Sequence, residues 1–442
     1  MSTVRVQIAT RSKLYKEGLT NLHNFIDAEL LEECYKSLNK KAAAGIDEQD
    51  WESYEQVLPE RMGALLSEFR SGSYKAPPVR RVYITKEDGS KRPLGIPTME
   101  DKLLQTAVVQ VMEPIYEGIF YPFSYGFRPG KSQHQALDEL STEVSYYKQW
   151  YIIDADMQNY FGSIVHAHLR EFIDQKVKDG VIKRTIDKWL KAGVLEDEQL
   201  SYESSGTPQG GSISPVLSNI YLHYVLDEWY NEMIKPLLKG RNFMLRFADD
   251  FVMGFTDKSE AERVMKVLPQ RLAKYGLTLH PEKTKLIELN MRGTFDFLGF
   301  THYQGKSQKG KLILKRKTSK KKQAKSLRGI RDWLQTNMHK PLKSMITELN
   351  QKLRGIYNYY GITHNSRSLA AHFYRVRRML FRILNRRGTK RLLVWDEFAK
   401  LIDEKIPLIK PKIKHKVILA NPLPEEPYAG KSLVRICGGA RR

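Results

Sequence analysis

The sequence predicts an α+β protein, with antiparallel hairpins mixed among helices up to about residue 300 and a basic helical bundle after it. Three observations carry this. The run Leu245-Arg246-Phe247-Ala248-Asp249-Asp250-Phe251-Val252-Met253-Gly254-Phe255 is a pair of apolar half-strands joined at two adjacent carboxylates. Asp is depleted in strands and favoured in turns, so the run reads as a hairpin with its charges at the tip. Apolar residues recur at helical spacing at Leu22, Phe25, Ile26 and Leu30, and again at Leu327, Ile330 and Leu334. Finally, Thr301 to Lys390 holds 24 Lys or Arg against two acids, Asp332 and Glu348, so nearly all of the net charge of +23 sits in one segment. Such a concentration reads as a surface for a polyanion, since merely solvated faces mix both signs.

Composition bounds the rest. A chain of 442 residues with 41% hydrophobic and 28% charged content has room for two or three cored domains and is not a disordered tail. Its two cysteines, Cys34 and Cys437, form neither a C-x-x-C pair nor a disulfide framework, which excludes a legible structural zinc site and points to a reducing compartment. No apolar run approaches the roughly 18 residues of a membrane span, and the N-terminus lacks a signal-peptide core. The expectation is a cytoplasmic protein without a membrane partner.

Taken in order, residues 1–75 are helical, with a second apolar series at Val57, Leu58, Met62, Leu65, Leu66 and Phe69. Pro77 to Pro97 reads as strand, Asp88-Gly89 turn, strand, with Lys86, Lys91 and Arg92 near the turn. Cations on a rigid hairpin can hold a triphosphate. Asp101 to Ile119 is a helix whose last turns Pro114 should disturb. Ser124 to Ser132 is a turn mixing Tyr125, Phe127, Arg128 and Lys131, a combination that suits bases and phosphates as well as a buried aromatic pair. In the β-run Trp150 to Met157, Asp154 and Asp156 alternate with apolar residues, so both fall on one face and need a metal or a cation there. Helices from His166 and over Lys183 to Lys191 follow. Gly206-Thr207-Pro208-Gln209-Gly210-Gly211 is a turn-rich loop feeding the apolar helix around Val216 to Leu226, and it carries no Walker lysine. After the Asp249-Asp250 hairpin come a helix from Ser259 to Tyr275 and a strand over Thr294 to Phe300. The basic bundle follows, then a Pro- and Lys-rich tail beyond Pro407.

Three carboxylates on neighbouring strands, a loop able to cradle a nucleotide, a cationic hairpin and a basic bundle together specify nucleotidyl transfer by two metal ions. Five stretches, Arg92-Pro93-Leu94-Gly95-Ile96-Pro97, Tyr125-Gly126-Phe127-Arg128-Pro129, Thr207-Pro208-Gln209-Gly210-Gly211, Phe247-Ala248-Asp249-Asp250 and Phe297-Leu298-Gly299-Phe300, resemble in chain order the motif series of bacterial group II intron reverse transcriptase/maturases. The resemblance runs from about Gly45 to Tyr360. It implies a right-hand polymerase, whose fingers and palm hold an antiparallel sheet, followed by a helical thumb/maturase domain. The divisions would be a helical extension of the fingers over 1–75, fingers and palm over 76–300, the basic thumb over 301–400 and a tail over 401–442. It also implies Asp156, Asp249 and Asp250 as catalytic metal ligands. Asp156 is chosen over Asp154 because the family's aspartate lies five residues before an aromatic that senses the sugar 2′ position, here Phe161. Gln209 would line the nucleotide pocket, and Lys86 and Arg92 would meet the triphosphate. The run Leu353-Arg354-Gly355-Ile356-Tyr357-Asn358-Tyr359-Tyr360 is similar to the maturase thumb. With Arg375, Arg377 and Arg378 on a neighbouring helix, Arg354 would hold RNA.

This chain departs from the family in having Phe247 where Tyr is usual and Gly162 where Asp is usual, and neither change removes a metal ligand. The resemblance implies Mg²⁺, with Mn²⁺ as a substitute, and RNA template, DNA primer, deoxynucleoside triphosphates and a structured intron RNA as partners. Many relatives add a zinc-binding nuclease at the C-terminus, for which the cysteines are absent here, so DNA-strand cleavage is not expected. Two other readings are a domesticated reverse transcriptase in antiviral defence or repair and an RNA-binding splicing cofactor with little polymerase activity. The intact aspartates argue against the last.

Overall fold

In the computed structural model the helical spacing before residue 75 forms α1 (Thr3–Leu14), α2 (Ala28–Ser37) and α3 (Trp51–Ser71). Residues 3–15, 17–85, 91–196, 199–201, 206, 210–387 and 392–416 are described. Helix α3 starts in a reciprocal cap between Asp50 and Ser53 and ends at Gly72, whose φ of 77° suits a residue without a Cβ. Strands β1 (Val79–Thr85) and β2 (Lys91–Ile96) pair antiparallel from Arg80↔Ile96 to Thr85↔Lys91. The Asp88-Gly89 turn expected between them lies outside the described residues, as does Lys86. Helix α4 (Met99–Glu117) starts on the Thr98 cap, two residues before the expected Asp101, and runs through Pro114 for three more residues, ending two short of the expected Ile119. Helix α5 (Gln133–Ser145) follows.

Strands β3 (Tyr151–Ala155) and β4 (Met157–Gln158), helices α6 (His166–Asp174) and α7 (Gly180–Lys191), strands β5 (Val194–Glu196) and β6 (Gln199–Ser201), and helix α8 (Ser214–Leu222) come next. Then β7 (Asn242–Phe247) and β8 (Asp250–Phe255) form the expected hairpin, followed by α9 (Lys258–Ala273), β9 (Thr278–Leu279) and β10 (Lys285–Glu288). The sheet at the heart of the molecule has the order β10-β3-β8-β7, antiparallel throughout. Alternation gives it two apolar faces. Ile153, Ala155, Phe251 and Met253 enter the core built with α4, α8 and α9, whereas Ile152, Leu245 and Val252 join Leu137 and Leu140 of α5 in a second core.

The stretch expected as a single strand over 294–300 is a hairpin instead. Strand β11 (Thr294–Phe297) turns at Leu298 and Gly299, both with positive φ, into β12 (Phe300–Lys306), which pairs with β13 (Leu312–Thr318). The basic segment therefore opens as sheet, and its helices begin at α10 (Lys320–Thr336), continuing with α11 (Leu342–Tyr360), α12 (Ser366–Asn385) and the short α13 (Trp395–Lys400) around their own core. No helix of the described residues is long and apolar enough to cross a membrane.

Residues 407–416 run back along this bundle. The carbonyl of Pro407 and the amide of Ile409 bond the Asn350 side chain on α11 at 2.9 and 2.8 Å, and Leu408 is buried. His415 bridges Ile362 in parallel, and its ring stacks on His134 of α5 with centroids 3.7 Å apart. His134 in turn bonds the Tyr359 carbonyl at 2.9 Å.

Candidate active site

The carboxylates are placed by strand alternation. Asp154 stands opposite Val252, so Asp154, Val252 and Asp250 share one face of the central sheet. Strand β3 ends at Ala155, and Asp156 follows as it passes to β4, held by a 2.8 Å bond from the His280 amide to its carbonyl. Its carboxylate meets Lys283 at 2.8 Å. Asp249 and Asp250 occupy the β7–β8 tip, where Ala248 holds a φ of 57°.

Electrostatics shows that these acids are neighbours. The Asp154 carboxyl is pushed up to about 7, first by burial and then by the negative charges of Asp250, Asp296 and Asp156, with Lys285 opposing. Crowded carboxylates of this kind fit a divalent cation, which relieves their repulsion. Among the described residues no group of three or more His, Cys, Asp or Glu stands as a ready-made cation cage.

The tip is fixed from behind by a network that the sequence reading missed. Arg246 and Asp227 are both fully buried, and the guanidinium donates to the two carboxylate oxygens at 2.7 and 2.5 Å. Nη1 also donates to the Asn219 side chain at 2.9 Å and to the carbonyl of Ala248 at 3.1 Å, which holds the turn carrying the aspartates. Asn219 passes the contact on to the Gly126 carbonyl at 2.8 Å. A Cβ on Gly126 would collide with the Ala248 amide nitrogen, so the 124–131 loop presses directly on the tip. Asp227 reaches Arg246 from a stretch, His223–Asp227, where the helix after α8 widens to i→i+5 bonding. Eight residues of regular helix would turn Asp227 about 80° away from Asn219; the wider turn winds less per residue and reduces that offset. The missed signal was a charge inside an apolar strand, Arg246, and another inside an apolar helix, Asp227, which had to be partners.

The remaining expected residues divide. Phe161 is partly buried beside Tyr160, the ring centroids 5.3 Å apart, and Tyr160 is anchored to the Ser218 carbonyl at 2.8 Å. A Cβ on Gly206 would lie 3.1 Å from the Phe161 carbonyl, and one on Gly210 would strike the Gly95 carbonyl of β2. Gly206 thus abuts Phe161 and Gly210 abuts the β1–β2 hairpin, whereas Thr207 to Gln209 lie outside the described residues. Arg92 lies on β2 and its backbone pairs with Ile84. In the bundle, Arg354, Arg375 and Arg378 are exposed. Arg377 is turned inward, paired with Asp403 at 3.0 Å and set among the rings of Phe373, Trp395 and Phe398. Of the 124–132 turn, Tyr125 and Arg128 are buried, with Arg128 forked onto Glu117 at 2.9 and 3.0 Å, whereas Phe127 is exposed.

Residues 84–302 match the reverse transcriptase (RNA-dependent DNA polymerase) family, and residues 317–396 match the group II intron maturase-specific domain. The chain is 44% identical over 165 residues to the group II intron-encoded protein LtrA of Lactococcus lactis subsp. cremoris, covering 37% of this chain and 27% of that protein. It is 33% identical over 314 residues to protein YkfC of Escherichia coli (strain K12), covering 62% of this chain and 80% of YkfC. It is 26% identical over 434 residues to an uncharacterized 91 kDa protein in the cob intron of Schizosaccharomyces pombe, covering 82% and 52%. The matched region thus spans about a quarter of LtrA and most of YkfC. With acids gathered on one face of an antiparallel sheet and both family domains in sequence behind one another, the chain belongs to the group II intron reverse transcriptase/maturase family.

Proposed function

We propose that this protein is an RNA-directed DNA polymerase, extending a DNA primer on an RNA template with deoxynucleoside triphosphates, and that it binds a structured intron RNA to assist splicing and mobility. The observation that carries the reading is the gathering of Asp154, Asp156 and Asp250, with Asp249 beside them, at one end of the central sheet in a chain of this family. In this reading β1, β2 and the helices before them are fingers, the central sheet is the palm, and α10–α13 are the thumb. The protein would work in the cytoplasm.

Asp156, Asp249 and Asp250 would hold two divalent cations, Mg²⁺ or in its place Mn²⁺, which make the primer 3′-hydroxyl nucleophilic and neutralise the leaving pyrophosphate. The protein's own contribution is orientation. Arg246 keeps the tip rigid through the Ala248 carbonyl, and Lys283 neutralises Asp156 until substrate arrives. Phe161 packs where a ribonucleotide 2′-hydroxyl would sit. Lys86 and Arg92 take the triphosphate, and Gln209 lines the nucleotide pocket. Arg354, Arg375 and Arg378 offer exposed forks to RNA phosphates, whereas Arg377 fastens the segment just after α13 to α12 through Asp403.

Purified protein should extend a DNA primer on RNA with either metal. Asp249→Asn and Asp250→Asn should each abolish extension and leave RNA affinity at the wild-type level, because the acids lie apart from the basic face. Wild-type protein that extends no primer overturns the polymerase half. Competition at physiological salt between a structured intron RNA and an unrelated RNA of equal length tests the other half, since charge alone does not distinguish shape. Phe161→Ala should raise ribonucleotide incorporation relative to deoxyribonucleotide, measured on one template.

A further inference from the structure

Phe127 combines two features that work against the fold. Its φ is 56°, in the left-handed region that a bulky side chain adopts only under constraint. The residue is 52% exposed, belongs to neither neighbouring apolar core, and meets no other ring or cation among the described residues. A single exposed ring is ordinary, but one held out on a strained backbone that serves neither core points to a role outside the fold.

The constraint has visible sources. Arg128 bonds the carbonyls of Tyr121 and Ser124, both at 2.8 Å, while its fork grips Glu117. Lys131 bonds the Pro122 carbonyl at 2.9 Å. The Tyr125 amide bonds the Arg246 carbonyl at 2.8 Å, and the Gly126 carbonyl accepts from Asn219. Every neighbour of Phe127 is pinned, and the pinning ties the loop to the β7–β8 tip that carries Asp249 and Asp250. The ring is therefore held out rigidly, one residue beyond the glycine that abuts Ala248.

We propose that Phe127 is a stacking residue that receives a nucleobase beside the carboxylate tip. A flat ring with a free face binds any base, since each offers a π-face, and rigid presentation lowers the ordering cost of the contact. The base comes either from the bound primer–template or from the incoming nucleotide; this rests on the polymerase reading for its ligand, and the two sources are separable.

The test uses the full chain as wild type, Phe127→Gly and Phe127→Tyr. Glycine releases the backbone strain, so Phe127→Gly should melt at or above the wild-type temperature. Its dissociation constant for a fluorescent RNA template–DNA primer duplex, measured without nucleotide, should nonetheless rise about 5- to 150-fold, the range expected for loss of one stacked base. If the base is that of the incoming nucleotide, the duplex constant stays unchanged and the Michaelis constant for deoxynucleotide rises instead. Phe127→Tyr should match wild type in both measurements. The proposal is overturned if Phe127→Gly keeps both constants at wild-type values, or if it melts well below wild type, which would make the ring a packing element. Because duplex binding is measured without turnover, a wild-type protein that binds but does not polymerise would refute the polymerase reading and leave the stacking measurement intact.

Discussion

Asp101 shows how one buried acid can govern the pH response of this fold. It is almost fully buried on α4, accepts from the Trp189 indole at 3.2 Å and from the Tyr74 hydroxyl, and burial pushes its carboxyl up to about 7. A folded value above the unfolded one means that the fold holds the proton more tightly. That contribution is complete below about pH 4 and is lost as pH rises to about 7, a change on the order of 4 kcal/mol. Asp101→Asn keeps an acceptor for both donors and cannot ionise. Its melting temperature should draw ahead of wild type between pH 5 and 7 and hold a constant lead above pH 7.5; parallel curves for the two proteins would show that Asp101 does not titrate there. Lys283 acts differently, since its ammonium occupies an oxygen of Asp156 that a divalent cation would take. Lys283→Ala should lower the Mn²⁺ concentration needed for half-maximal binding, read by electron paramagnetic resonance of the protein with primer–template. Neither effect was legible in the sequence, because both depend on what packs around the residue.

Among the elements, the β7–β8 hairpin was the most legible, because its apolar alternation and its Asp-Asp turn agree with each other. The Arg246–Asp227 pair behind it was hidden by distance along the chain. Removing one member of a buried pair strands the other's charge, so Arg246→Met should cost about 3–5 kcal/mol in denaturant unfolding. Arg246→Met with Asp227→Leu should recover much of that stability, yet extension should stay low because the Ala248 carbonyl has lost its donor. Recovery of extension in the double variant would remove the pair from any role in the tip. The β11–β12 turn was missed because Leu298-Gly299 lacks the Asn or Asp that usually marks a two-residue hairpin loop, so the sequence read as one continuous strand. The 124–132 stretch was legible as a turn mixing aromatics with cations, but the buried Tyr-Phe pair it also allowed does not form, since Phe127 is exposed, and which side chains face inward is decided by Glu117 and the β7–β8 tip, remote in sequence.

For the molecule as a whole, segregated charge was the clearest message of the sequence, because it needs no contacts to be seen. Binding of RNA by exposed cations releases counterions, so log affinity should fall with log salt by about 0.7 for each phosphate neutralised on a single strand. Arg354→Gln, Arg375→Gln and Arg378→Gln combined should weaken binding and flatten that slope. Arg377→Gln should instead lower the melting temperature and leave the slope unchanged, because its partner is Asp403. An unaltered slope in the triple variant would mean that RNA lies on another face. The segment 407–416 bears on the order of events during synthesis. It leaves the ribosome after α5 and α11, the helices to which it binds. A nascent chain stalled before residue 407 holds a complete central sheet and the His134–Tyr359 contact between α5 and α11, but lacks the Asn350 bonds and the His134–His415 stack that fasten the strap over them. Translation therefore sets when the strap across α11 and α5 is completed.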